Sequence, residues 1–195
     1  MATTALKSPG TITNEDRDTK VAWVDPTNAA SSNDADAVCD VDKSTYGDWL
    51  RCVNFGFTTG DIPADSTING IEVLIEREGE GAASTNIVDS YIVLRNSSGQ
   101  VGDNKADAVT TWPVNDATAT YGAVDDAWGA GITAAEAILS TFGVDISIAN
   151  QHATQARHGD IDHVQIRITY TEAGGAVAPT GTLYGSLYGP LGGPL

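Results

Sequence analysis

Positive charge is what this chain has least of. Lys and Arg total 10 against 26 Asp and Glu, a formal net charge of −16 at pH 7. Nucleic acid and anionic membranes are both held through clustered cations, so this balance argues against either as a partner. No apolar run approaches the roughly 20 residues that a membrane-crossing helix needs. Residues 1–20 hold no apolar stretch of signal-peptide length either. The expectation is a protein made in a cytoplasm that stays soluble and reaches any outside location by lysis or another export route. Catalytic motifs are missing too: there is no Gly-x-Ser-x-Gly elbow, no phosphate loop with its Lys and no dinucleotide fingerprint. The acids Asp125 and Asp126 have the chemistry of a glycosidase pair, but among 26 acids an adjacent pair carries almost no information. A non-enzymatic chain with no cofactor is expected.

Cysteine is nearly absent as well. Cys39 and Cys52 are the two present, too few for a metal-binding set. A hairpin centred between Thr45 and Tyr46 would set them opposite each other, where a disulfide forms only if the geometry suits. Two buried thiols suit a reducing compartment better. Aromatic residues make up 7% of the chain, while Gly, Ala, Thr and Asp are abundant. That composition suits short strands and many turns more than helices.

What is present is alternation. Val164, Ile166, Ile168 and Tyr170 share one face of a strand, with Gln165, Arg167, Thr169 and Thr171 on the other. Ile71, Val73 and Ile75 alternate with Glu72 and Glu76, and Phe142, Val144, Ile146 and Ile148 with Asp145 and Ser147. Val88–Leu94 is apolar on both faces, as an interior strand can be. Residues 49–57 place Trp49, Arg51, Val53, Phe55 and Phe57 in one phase, which puts Trp49 in the core. Val21–Val24 is a further short candidate. Helix is confined to 133–140, where Thr133 and Glu136 form a capping box. The long gap 97–132 reads as a functional or partner-packed loop.

Short strands separated by turns at this spacing predict an all-β, antiparallel β-sandwich of jelly-roll type, with one short helix and extended N- and C-terminal arms. The arms are residues 1–20 and the Gly/Pro/Leu-rich stretch 173–195, and the sandwich is 21–172. The C-terminal stretch repeats every four residues, with Leu183, Leu187, Leu191 and Leu195 in step and Tyr184 and Tyr188 between them. Pro190, Pro194 and the interspersed glycines forbid a helix. Alone, such a segment cannot bury enough apolar surface to offset its entropy. Those six residues are therefore expected to bind a neighbouring subunit as pegs.

Two clusters have metal-ligand chemistry. His158 and His163 bracket Asp160 and Asp162, and Asp34, Asp36, Asp40 and Asp42 follow one another closely. Neither has the spacing of a defined site, and the second lacks the Gly and terminal Glu of a calcium loop, so no metal is expected. Trp112, Tyr121 and Trp128 fall in the long gap and are candidate loop contacts, to a partner or a sugar ring.

Several stretches taken in order add a resemblance: Val21-Ala22-Trp23-Val24-Asp25-Pro26, Phe55-Gly56-Phe57 with Ile62-Pro63, and Ile68 to Val73. Tyr121-Gly122, Asp126 to Gly129, Phe142-Gly143-Val144 and Asp162 to Ile166 ending in Tyr170 follow. This series, over about residues 20–172, resembles a group of β-sandwich virion structural proteins of tailed bacteriophages. The resemblance implies a jelly-roll subunit in the virion and supplies no catalytic residues. Its first form is a capsid decoration (cement) protein that stabilises the outer capsid. Its partners would be the major capsid protein or neighbouring virion subunits, and its own state a homo-oligomer, a trimer suiting a local threefold position. A receptor-binding tail or fibre subunit, or a carbohydrate-binding module, is the alternative, and a self-assembling filament subunit a third.

Overall fold

The computed structural model describes residues 1–18, 20–80 and 85–174. The leucine repeat, with Leu183, Tyr184, Leu187, Tyr188, Leu191 and Leu195, lies outside the described residues.

Among the described residues ten strands run in order: β1 (Ala2–Thr3), β2 (Thr11–Glu15), β3 (Ala37–Val41), β4 (Trp49–Val53), β5 (Thr67–Gly79), β6 (Ile87–Asn96), β7 (Gly99–Val101), β8 (Ala117–Tyr121), β9 (Gly143–Asn150) and β10 (Arg157–Thr171). All pair antiparallel. One sheet has the order β1-β10-β5-β8, with β3 also on β10, and the other has β2-β4-β9-β6-β7. From β3 to β10 the chain changes sheet at every step except the β6–β7 hairpin, so outside that hairpin sheet neighbours are distant in sequence. That winding is a jelly roll. Among the described residues no helix is long and apolar enough to cross a membrane.

The core follows from the alternation. Val164, Ile166 and Ile168 pair across the ladder with Ile75, Val73 and Ile71, and all six are fully buried. They face Leu50, Ile92, Leu94, Val144, Ile146 and Ile148 from the other sheet. Among the described residues the one α-helix, α1 (Ala134–Ala137), starts at the expected box: Thr133 Oγ1 accepts from the Glu136 amide at 3.2 Å, and Glu136 accepts from the Thr133 amide at 3.0 Å.

Several expectations are corrected. The N-terminal arm, residues 1–20, joins both sheets, β1 pairing along β10 and β2 along β4. Lys7 adds a bridge to Ile166, so the start of the chain covers the edge of β10 that β3 leaves open. Val21–Val24 forms isolated bridges and no strand. The phase of β4 is inverted: Leu50 and Cys52 face the core, and Trp49, Arg51 and Val53 face outward. Asn54 and Gly56, at φ 61° and 67°, turn the chain after β4 and bring Phe55 and Phe57 inward outside the strand. The hairpin that would oppose Cys39 and Cys52 does not form, since they lie on strands of different sheets, and both are the free, buried thiols that a reducing compartment suits. Burial is the main cause that pushes both thiols up.

Trp112, Tyr121 and Trp128 are also corrected, from loop contacts to core. All three are buried because their polar edges find buried acceptors. The Trp128 indole donates to the Ile71 carbonyl at 2.8 Å. Gly122, at φ 77°, leaves room beside that ring, since a Cβ there would come within 2.4 Å of the indole nitrogen. The indole of Trp112 and the hydroxyl of Tyr121 each donate to the Asp89 carboxylate at 2.8 Å. The 97–132 gap itself contains β7 and β8.

Candidate functional site

A groove of about 680 Å³ opens at one end of the outer face of the β2-β4-β9-β6-β7 sheet. Its origin is a bulge. In regular pairing Asp89 and Tyr91 would point the same way, but the β6–β9 register shifts between them. Asp89 therefore pairs with core-facing Ile148 and turns inward, while Tyr91 pairs with Ser147 and turns out.

The inward residue is locked. Asp89 is fully buried and ion-pairs with Arg77, which is itself only 8% exposed. The same carboxylate accepts from Trp112, from Tyr121 and from the Asp107 amide at 2.9 Å. The Arg77 guanidinium lies 4.7 Å from the Trp112 ring centroid. A buried charge needs this degree of satisfaction.

The outward residue joins an aromatic cluster. Trp49 meets Tyr91 edge-on, with centroids 5.4 Å apart and planes at 72°. Tyr46, from the turn before β4, completes the group. Tyr46 and Tyr91 keep 44% and 38% of their surface exposed. The Arg17 guanidinium sits among the three rings, 4.5 Å from the Tyr91 centroid, 4.8 Å from Trp49 and 5.2 Å from Tyr46. Its Nη1 donates to Ser147 Oγ at 2.7 Å and Ser90 Oγ at 3.0 Å, and its backbone amide donates to Asp48 at 3.0 Å. Ser147 in turn donates to the Gly47 carbonyl, so its hydroxyl is fixed. The groove then runs past Ser44 and Thr45 towards Asn104 and Gln151.

Farther along that outer face, charge is cancelled locally. Asp145 is fully buried and accepts from Arg51 at 3.1 Å, Arg95 at 2.9 Å and Gln100 at 3.0 Å, and Arg51 also reaches Glu15 at 3.0 Å.

The sequence-derived metal candidates come apart. His163 bonds Ser8 at 2.8 Å, His158 lies 3.4 Å from Asp160, and Asp162 accepts from the Asn33 amide at 3.1 Å. Among the described residues no group of three His, Cys, Asp or Glu is placed to hold a metal ion. Asp160 is pushed up to about 6, first by its burial and then by the charges of Asp36, Glu78 and Asp116, against a partial offset from His158.

No protein-family model matches the chain, and no curated protein matches it significantly. Among solved structures the chain is similar to the CBM22-1 xylan-binding domain of Paenibacillus barcinonensis Xyn10C. The identity is 12% and the TM-score 0.33, over 86% of this chain and 87% of that one. At that level the likeness is one of β-rich architecture and bears on no residue of the groove.

Proposed function

We propose that the chain is a non-catalytic binding subunit that holds a glycan in the groove between Tyr46 and Tyr91. One observation carries this reading: two exposed aromatic side chains flank a concave surface that combines hydroxyl and amide side chains with the Arg17 guanidinium and small apolar residues. A sugar ring has apolar C–H faces and a polar rim of hydroxyls, so it needs an aromatic wall beside short hydrogen-bonding side chains. Ser44, Thr45 and Gln151 supply the second requirement. Trp49 sets the angle of Tyr91, and Arg17 ties both rings to the sheet.

The experiment is a glycan array probed with the full chain and with Tyr46→Ala and Tyr91→Ala. Truncating a central aromatic anchor costs more than about 1–2 kcal/mol, roughly a 5- to 30-fold loss of affinity. A chemically related set of glycans retained by the wild type and lost by both variants supports the reading. A blank array refutes it.

On a tailed-phage particle, which the resemblance implies without separating head from tail, such a subunit would serve in a tail or fibre that touches a host surface. Capsid decoration through a trimer is the rival placement. It draws on the acidic surface and on the leucine repeat, which would bind the major capsid protein. Copy number separates the two, hundreds per particle for decoration and a handful for a tail.

A further inference from the structure

The cation inside the groove bears on the kind of glycan. In a chain with 10 cations against 26 acids, the described cations of the sheets are mostly neutralised by carboxylates: Arg51 and Arg95 by Asp145, Arg77 by Asp89, Arg167 by Glu72. Arg17 is held differently. Two serine hydroxyls take its Nη1, three rings surround its guanidinium, and among the described residues no carboxylate lies within ion-pairing distance of it. Two acids close to Arg17 are already engaged. Asp89 is turned into the core onto Arg77, and Asp48 is buried, accepting from Asn14 and from the Arg17 amide.

Resting on the glycan reading above, we propose that the groove selects a glycan that carries an isolated carboxylate, a uronic or sialic acid residue, and that Arg17 is the residue that reads it. A guanidinium fork matches a carboxylate in shape and charge. The aromatic cluster excludes water from one side of that pair and strengthens it. The overall charge of −16 sets a limit on the ligand. Repulsion from acids more than roughly 8–10 Å away is screened at physiological ionic strength, so a single carboxylate is accepted. A densely charged polyanion, repelled at many points, is not.

The test is calorimetric titration of the full chain with two matched pairs: 3′-sialyllactose against lactose, and a glucuronic acid-bearing oligosaccharide against its methyl ester. The acid member of at least one pair is expected to bind about tenfold more tightly or better, because a charge-assisted hydrogen bond is involved. Arg17→Gln should bring the affinity ratio of the acid to the neutral member to about one, whatever the lost brace on the rings does to neutral binding. Arg17→Lys, which keeps the charge and loses the fork, should retain only part of it. Melting curves of both variants confirm that the fold is intact. Equal affinity for the acid and neutral members overturns this proposal and leaves the glycan reading standing. So does an Arg17→Gln variant that weakens acid and neutral sugars alike, which would make Arg17 only a brace for the rings. Binding of neither acid nor neutral sugars, together with a blank array, overturns both.

Discussion

Asp89 is the residue on which core and groove both depend, and Asp89→Ala is the most informative single perturbation. In the folded chain the carboxylate is fully buried and receives the Arg77 guanidinium, the Trp112 indole, the Tyr121 hydroxyl and the Asp107 amide. Removing it leaves a guanidinium buried without its counter-charge, and the Nε of Arg77 already lacks a partner. Breaking a buried pair on one side costs about 3–5 kcal/mol. Each stranded indole or phenol donor adds about 1–3 kcal/mol where it cannot rotate to another acceptor. The expected loss is therefore at least about 4 kcal/mol, a large share of the 5–15 kcal/mol typical of a folded domain. Urea unfolding followed by tryptophan fluorescence measures it. The pair variant Arg77→Met with Asp89→Leu should recover much of the loss, because it removes both charges together. A loss below about 1 kcal/mol in Asp89→Ala would refute the reasoning. It would mean that the carboxylate is solvated or that Arg77 relaxes to water at little cost.

Asp160 gives a pH dependence of defined sign. Its folded-state value is raised to about 6, so the folded chain binds the proton more tightly than the unfolded chain between about 4 and 6. That contribution is fully present below the unfolded value and lost as pH rises through 6. Stability should accordingly rise as pH falls from 7.5 to 5, by something of order 1–2 kcal/mol, and Asp160→Asn should flatten this slope in thermal melts taken across the range. Ile166→Ala should cost about 2–5 kcal/mol, since the side chain is fully buried opposite Val73. Arg167→Ala, one position on, strips a half-exposed bidentate partner from buried Glu72 and should cost less, about 1–2 kcal/mol. Equal losses in chemical denaturation would mean that the strand register is off by one residue.

The framework of the fold was legible because its longest strands obey one simple rule. In β5, β9 and β10 the apolar residues recur at every second position, and the structure buries those residues. The capping box at Thr133 is equally local, and equally readable. The errors arise where local pattern and long-range pairing diverge. Residues 49–57 look like one continuous alternation, yet the left-handed residues Asn54 and Gly56 join a strand of one phase to a loop that buries its aromatics in the other. The alternation thereby puts Trp49 in the core, whereas the structure sets it on the outer face against Tyr91. Trp112, Tyr121 and Trp128 look exposed because they lie between strands, and nothing local reveals that Asp89 and the Ile71 carbonyl accept their donors. The groove was illegible for the same reason. Arg17, Tyr46 and Tyr91 come from three separate segments, and Tyr91 points outward only because of a bulge that no residue in its neighbourhood announces.

The claim that the groove is the binding surface is tested most directly by a chemical-shift map. The full chain, labelled with nitrogen-15, is titrated with a glycan selected on the array. Amide shifts are predicted to concentrate at Ser44–Tyr46, Ser90–Tyr91 and Ala149–Gln151, around the Arg17 guanidinium, with the amides flanking β8 and α1 unmoved. Shifts confined to another face of the sandwich, or no shifts at saturating sugar, would contradict it.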